Sequence, residues 1–574
     1  MAVKRYYANA DNTIVNAYQP NMRTRGTGAN AGEADVLETF SIYGRVTTSS
    51  QELSRILLKF PIADISSDRT SGTIPISGNV SFYLRVFNAV HSKTVPVDYT
   101  LTVLAVSQSW QEGVGLDLEG YKDLTLGNQG SNWMSASRTT SWIDINDTLL
   151  AGGSYHTGST NVDVDTEIHT FKQTFSTGLE DVEINITPLV EQWIAGTYDN
   201  YGIGIHLSAS YEGYHSGSDD AVVSRTPGDP ALDADDTTQS VIYNPSGSTT
   251  SYYTKRFFAR GSEFFFKRPI IEGRWNSAVK DDRGNFFYSS SLATASQNLN
   301  TLYMYNYVRG QLSDIPNLGA DKRIYVSIFS GSTGGFYSDQ GGGDGDDLSP
   351  SNYPASGSTG SIQILSADDS GFVRSSYLTV VTGGIVSTGI YSASFAFTGS
   401  SLLKTFYDVW FTGSDTVTNA LGAPTQYFTG AIKPFTLVGG NRVATPTYYL
   451  NITNLKDKYR GDETARFNIY IRDKFWDPTI YTVATTSPPT TSIISASYKV
   501  YRSLDAYEAV AYGTGSDLST LLSYDVSGNY FDFDMRLLEP GYQYGVKFSF
   551  YDKALNSWVE QPDVFKFRVE DYEY

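Results

Sequence analysis

The sequence predicts an all-β protein built from tandem β-sandwiches, and three observations predict it. Gly (52), Tyr (42) and Phe (30) are abundant among the 574 residues, and runs rich in Ser and Thr separate short apolar stretches. That composition favours strands and turns over helices. Within those stretches apolar and polar residues alternate, which is the period of a half-buried strand. Only the segment ITPLVEQWIAG at 186–196 reads as helix.

The first region, residues 1 to about 277, holds all five histidines and five of the eight tryptophans. ILLKF at 56–60, SFYLRVF at 81–87 and LTVLAV at 101–106 read as strands, joined by long polar connections at 111–141, 151–167 and 208–250. The helix comes next. Thr187 is expected to cap it with its hydroxyl, and Pro188 stands at the first helical position, where a missing N–H costs nothing. Leu189, Val190 and Trp193 share one apolar face while Glu191 and Gln192 point outward. Gly196 stands where a helix commonly ends in a left-handed residue. Two turns of helix with such a face are expected to plug one end of a sandwich. NYGIGIHL then places Ile203, Ile205 and Leu207 on one side of a strand, so His206 is expected on the solvent side. RFFARGSEFFFKRPIIEGRW at 256–275 closes the region as two last strands.

Five motifs in this region follow one another in a set order: DNTIVNAY at 11–18, SRILLKFPI at 54–62, SWQEGVG at 109–115, ITPLVEQWIAGTYDNYGIGI at 186–205, and RFFAR with RPIIEGRW at 256–275. The series resembles the DNRLRE family of β-sandwich modules, found in bacterial surface and secreted proteins and similar to carbohydrate-binding modules. The resemblance covers about the first 275 residues and implies a jelly-roll sandwich like that of carbohydrate-binding modules. It also implies that the LVxxW helix belongs to the structural core. The long insertions at 151–167 and 208–250 depart from the compact family pattern, so a family binding surface would be covered or replaced here.

The second region, 278 to about 437, contains LNTLYMYNYVRGQL, IYVSIFSG, YLTVVTGGIVSTGIYSASFAF and FYDVWFTG. Aromatic and β-branched residues alternate with small ones between turns spaced roughly 10 residues apart, as in a second sandwich. A Gly/Ser/Asp-rich stretch of low complexity interrupts it at 334–360. The third region, 438–574, ends in LSYDVSGNYFDFDMRLLEPGYQYGVKFSFYD at 522–552. A strand, a turn at Glu539-Pro540-Gly541 and a strand alternating Tyr542, Tyr544, Val546, Phe548 and Phe550 look like the final hairpin of an immunoglobulin-like or fibronectin-type-III sandwich.

Charge and cysteine content narrow the function. Against 61 Asp and Glu there are 42 Lys and Arg, a net charge of −19 with a sequence pI of about 4.7. A basic nucleic-acid groove is not expected, and an anionic membrane surface would repel the chain. The chain has no cysteine, which removes disulfides, thiolate zinc sites and thiol nucleophiles. No run of about 18 or more apolar residues exists to insert in a membrane. The first residues, MAVKRYYANADNTIVNAY, lack an apolar signal-peptide core.

No catalytic residue emerges. GxSxG, HExxH and P-loop patterns are absent. His91, His156, His169, His206 and His215 have no metal-ligand spacing. Glycosidases need a carboxyl pair across a cleft, and 61 acidic residues offer too many pairs to choose from. Clustered oxygen donors occur at Asp163 and Asp165, at Asp219 and Asp220, at Asp233, Asp235 and Asp236, and at Asp344, Asp346 and Asp347. Calcium takes six to eight such ligands, but none of these runs has EF-hand spacing, and solvated acidic turns are the simpler reading. No cofactor is expected.

An outward-facing composition without an export signal fits a virion component made in the host cytoplasm. The texture is also similar to large structural proteins of tailed phages. The expectation is therefore a non-enzymatic phage structural protein associated with the tail, neck or baseplate. It would be homo-oligomeric among other virion proteins and would contribute to attachment to host glycans. The alternative is a glycan-binding adhesin or receptor-binding protein of a bacterial surface.

Overall fold

The computed structural model describes residues 2–20, 25–42, 51–90, 95–116, 120–123, 130–144, 146–156, 166–215, 241–249, 252–289, 294, 296–316, 318, 322–330, 360–365, 372–378, 381–399, 406–412, 425–432, 447–476, 490–513, 517–552 and 555–571. The low-complexity stretch 334–359 lies outside them. Two compact units form: Ala2–Asn276 with Thr514–Ser519, and Ser277–Gly513 with Thr520–Tyr574. The protein is all-β and consists of tandem β-sandwich domains. Among the described residues no helix is long and apolar enough to cross a membrane.

In the first unit a seven-stranded sheet runs Tyr252–Phe258, Val36–Ile42, Glu52–Lys59, Ile203–Leu207, Tyr99–Ala105 and Thr170–Phe175. Ala10–Val15 also pairs with Glu52–Lys59. A four-stranded sheet, Val3–Tyr7, Ile270–Arg274, Ser81–Val86 and Val182–Asn185, packs against it. Phe82, Leu84 and Val86 from the smaller sheet meet Leu101, Val103, Ile203 and Ile205 from the larger in one core.

The helix Thr187–Ala195 buries Leu189, Val190 and Trp193 in that core and ends at Gly196, whose φ of 72° is left-handed. Its start differs from expectation. Ile186 occupies the cap, Thr187 is already helical, and no side chain caps the helix. The Thr187 hydroxyl instead accepts from Phe82 N at 2.7 Å and donates to Asn185 at 2.6 Å, joining the helix to strand Ser81–Val86.

A second nine-residue helix, Ile62–Thr70, was not foreseen. Only Ile62 and Ile65 are buried in it, so it carries almost no apolar periodicity. Arg69 reaches the Glu191 carboxylate with both terminal nitrogens, at 2.6 and 2.7 Å, and so ties the two helices together.

The larger sheet is buried on both faces. Ile56 and Leu58 point into the sandwich core, while Leu53 and Leu57 of the same strand face the other way, under Trp110, Trp133, Met134, Ala136 and Trp142. The polar-looking connection after strand Tyr99–Ala105 thus forms a third layer. Its indoles are satisfied: Trp110 Nε1 donates to the Tyr201 carbonyl at 2.7 Å and Trp142 Nε1 to that of Asn132 at 2.9 Å. The expected position of His206 is overturned as well: it is only 9% exposed, with the Tyr155 ring 5.7 Å from its own and Glu212 beside it.

The second unit contains one eight-stranded antiparallel sheet from strands between Asn300 and Ile432, gathered around Leu302, Ile324, Val326, Tyr391, Phe395 and Trp410. It also contains a sandwich of a four-stranded sheet (Tyr448–Ile452, Thr464–Asp473, Gly528–Asp534, Ser523–Asp525) and a six-stranded one. The latter runs Lys458–Arg460, Phe565–Glu570, Gln543–Asp552, Ala496–Arg502 and Glu508–Val510, with Ser557–Glu560 beside Gln543–Asp552. Lys458–Arg460 pairs in parallel with Phe565–Glu570.

Strands Gly528–Asp534 and Gln543–Asp552 therefore do not form a hairpin. They belong to different sheets, and Glu539-Pro540-Gly541 is the arch between them. Nor are they the last strands, since Ser557–Glu560 and Phe565–Glu570 follow. Tyr544, at the start of the second strand, donates its hydroxyl to the Glu539 carbonyl at 2.7 Å. That bond has the same form as a tyrosine corner, in which a Tyr hydroxyl bonds back to the backbone a few residues upstream.

Candidate functional site

Three of the five motifs converge on one spot in the first unit. Asp11 of DNTIVNAY, Glu112 of SWQEGVG and Arg260 of RFFAR come from widely separated segments. Arg260 holds the Glu112 carboxylate with Nε and Nη2, both at 2.9 Å. The Arg260 backbone N–H donates to Asp11 Oδ2 at 2.6 Å, and the Asp11 N–H donates to Glu112 Oε1 at 2.7 Å. Burial pushes the Asp11 carboxyl up to about 7, and its hydrogen-bonded neighbour Glu112 adds to the rise against the pull of Arg260.

A polar frame surrounds this trio. Asn12 Nδ2 donates to the Ser131 carbonyl at 3.0 Å and its hydroxyl at 2.9 Å, and Asn30 Nδ2 to the carbonyls of Glu112 at 2.6 Å and Ser131 at 2.8 Å. The glycines of EGVG make the approach possible. A Cβ on Gly113 would sit 2.3 Å from the Asn30 side chain, and one on Gly115 would sit 1.8 Å from its carbonyl oxygen.

This is the carboxyl pair that a search for glycosidase chemistry would select, and its geometry argues against that chemistry. Glycosidic carboxyls stand about 5 Å or more apart with the sugar between them. Here the Asp11 N–H donates to the Glu112 carboxylate, Arg260 holds that carboxylate with two nitrogens, and Asp11 is 1% exposed. Their role here is to clasp three chain segments.

A second network lies on the outer face of the larger sheet. Arg55 meets Glu212 in two hydrogen bonds and donates to the Gly152 carbonyl at 3.0 Å. His206 Nδ1 is 3.6 Å from Glu212 Oε1 and 2.7 Å from the Leu207 carbonyl oxygen. Burial, with Arg55 nearby, pushes His206 down to about 4 in spite of Glu212, so its ring is neutral at pH 7. A third network surrounds Glu272. Burial alone would raise this carboxyl, but Arg5 at 2.9 Å, Arg85 at 3.7 Å and Arg274 at 2.7 Å hold it at about 2.

Among the described residues the remaining histidines do not assemble a metal centre. The rings of His156 and His169 stack at 5.3 Å with Tyr198 edge-on to His169, and the His215 backbone bridges to Asn244. Among the described residues no three His, Asp or Glu side chains are placed to share an ion. His91, Asp163, Asp165, Asp219, Asp220, Asp233, Asp235, Asp236, Asp344, Asp346 and Asp347 lie outside those residues. An open depression of about 520 Å³ is lined by Lys4, Tyr6, Pro61, Asp64 and Asp68 among others. There Asp68 already accepts from Lys4 at 2.6 Å and Tyr6 at 2.7 Å.

Sequence reading missed the convergence of Asp11, Glu112 and Arg260, although each sits in a motif it had singled out. The available signal was an Asp, a Glu and an Arg in three ordered motifs, but nothing local says that they touch.

No protein-family model matches the chain. No curated protein matches it either. Among solved structures, a mutant of Salmonella alpha-2-macroglobulin aligns at 8% identity with a TM-score of 0.13, over 99% of this chain and 34% of that one. The chain spans about a third of that protein's length, and a likeness this slight carries no argument about fold or function.

Proposed function

We propose that the chain is a non-catalytic structural component of a bacteriophage virion, associated with the tail, neck or baseplate. The observation that carries this reading is the use made of its charged groups. Glu112, Glu212, Glu272 and Asp408 are each held by arginine, and the arginines staple segments far apart in sequence. Groups held this way give rigidity, and these four carboxylates are engaged rather than free for a substrate. Rigid tandem sandwiches are suited to load-bearing assembly, and the tailed-phage texture of the sequence supports the same reading. In the particle the chain is homo-oligomeric and contacts other virion proteins.

The second reading is a glycan-binding adhesin of a bacterial surface, supported by the resemblance of the first 275 residues to DNRLRE modules. Mass spectrometry of purified particles and location of the chain in a reconstruction separate the two. Finding the chain at a symmetric position supports the virion reading. Absence from any particle, together with glycan hydrolysis by the purified chain, sinks it.

A further inference from the structure

In the C-terminal sandwich, strand Thr464–Asp473 buries Ala465, Phe467, Ile469 and Ile471 and turns Thr464, Arg466, Asn468, Tyr470 and Arg472 to the other face. Two arginines on that face are treated differently. Arg466 is clasped by Asp532 at 2.8 and 3.0 Å. Among the described residues Arg472 has no carboxylate partner. Its guanidinium lies over the Tyr449 ring at 5.3 Å and the Trp476 ring at 5.6 Å, and its shielded Nε makes no hydrogen bond.

The described residues around it include exposed rings. Tyr449, the register partner of Arg472, belongs to the edge strand Tyr448–Ile452 and is 48% exposed. Lys474 adds a second cation 5.9 Å from the Tyr449 ring, and the adjacent Phe475 is 65% exposed. The nearest acid along the strand, Asp473, is engaged: its Oδ1 accepts from Phe475 N at 2.8 Å, and its carbonyl accepts from Trp476 N at 3.3 Å. This turn carries Trp476 back to Arg472.

We propose that Tyr449, Arg472, Lys474 and Trp476 form a binding site for an acidic oligosaccharide of the uronic-acid type. A guanidinium whose faces are covered by rings still offers its in-plane N–H groups, and that fork matches a planar carboxylate. Tyr449 combines an exposed apolar face with a polar tip, which suits the C–H face of a pyranose. A uronate carries its carboxylate at the rim of that pyranose. Side chains directly opposite on paired strands stand about 5 Å apart at Cβ, so one sugar unit spans Tyr449 and Arg472. In a chain of net charge −19, two neighbouring cations beside aromatic rings select an anion. The inference does not rest on the virion reading, since adhesins and virions alike would use such a site.

The test is calorimetric titration of the full chain with a short galacturonate oligosaccharide, with the neutral galactose oligosaccharide as control. The acidic sugar binds, the neutral one does not, and raising salt from about 50 mM to about 500 mM weakens binding through screening. Arg472→Gln and Tyr449→Ala each lower affinity about ten-fold or more, as loss of a charge-assisted contact does. Arg466→Gln leaves it unchanged. Arg472→Lys, which keeps the charge and loses the fork, falls between and serves if Arg472→Gln does not fold. No binding, equal binding of the neutral sugar, or unchanged affinity in Arg472→Gln overturns the proposal. Displacement by inorganic phosphate as readily as by galacturonate overturns the carboxylate assignment. Self-association that Arg472→Gln abolishes, without sugar binding, makes the patch an interface between copies instead.

Discussion

Arg55 and Glu212, 157 residues apart in the chain, meet in a two-pronged ion pair, with Nε 3.1 Å from Oε1 and Nη2 2.9 Å from Oε2. Both side chains are almost fully buried. Removing one partner leaves an uncompensated buried charge, which costs about 3–5 kcal/mol. Glu212→Gln is therefore expected to destabilise the first unit by about that much. Arg55→Met combined with Glu212→Leu recovers part of the loss, because no charge is left stranded. Urea unfolding followed by tryptophan fluorescence, five of the eight indoles lying in this unit, reads both. A double variant no more stable than Glu212→Gln would contradict this account.

Asp11 and His206 give the first unit opposing responses to pH. Asp11 is raised from 3.8 to about 7, so the folded state holds its proton more tightly than the unfolded chain does. Its contribution is fully present below about pH 4 and is lost as pH rises towards 7. His206 is lowered from 6.5 to about 4, so its contribution is present above about pH 6.5 and is lost as pH falls towards 4. Asp11→Asn keeps an acceptor for Arg260 N and a donor for Glu112. We expect it to match or exceed wild-type stability at pH 8 by up to a few kcal/mol. It should also expose a steeper loss of stability on acidification from pH 6.5 to 4. Parallel stability–pH curves for the two proteins would contradict the assignment to Asp11.

Trp193 is 6% exposed and belongs to the main core. Trp193→Ala is expected to cost about 3–5 kcal/mol in the first unit, as truncation of a large buried ring does. Sugar binding at the patch around Arg472 should persist where the variant remains folded. A stable variant that had lost only ligand binding would overturn the core assignment.

Tyr544 is fully buried and its hydroxyl satisfies the Glu539 carbonyl across the arch. Tyr544→Phe keeps the ring and removes the donor, which costs about 1–2 kcal/mol. The effect should appear in the unfolding of the second unit and leave the first unchanged. A loss confined to the first unit would refute it.

What the sequence determined by itself is what local periodicity can carry. Phe82, Leu84 and Val86 face the core because side chains alternate along a strand. Leu189, Val190 and Trp193 face it because residues three and four apart share a helix face. Gly196 ends that helix because a left-handed residue is easiest without a Cβ. Tertiary structure alone decided the rest. His206 looked exposed because alternation reports which side of a strand a residue takes, and says nothing of what later covers that side. Tyr155 and Glu212, which lie against His206, come from connections that read as polar loop. The helix Ile62–Thr70 stayed hidden because its polar residues leave almost no apolar stripe. The segment 522–552 read as a hairpin because two strands and a turn look alike whether the chain folds back in one sheet or arches between two. Asp11, Glu112 and Arg260 meet only once the sheets are assembled, and Tyr449 meets Arg472 only once their strands pair. Hydrogen bonds and ring contacts act over a few ångströms, whereas Asp11, Glu112 and Arg260, like Tyr449 and Arg472, are separated in sequence by distances that only strand pairing and sheet packing close.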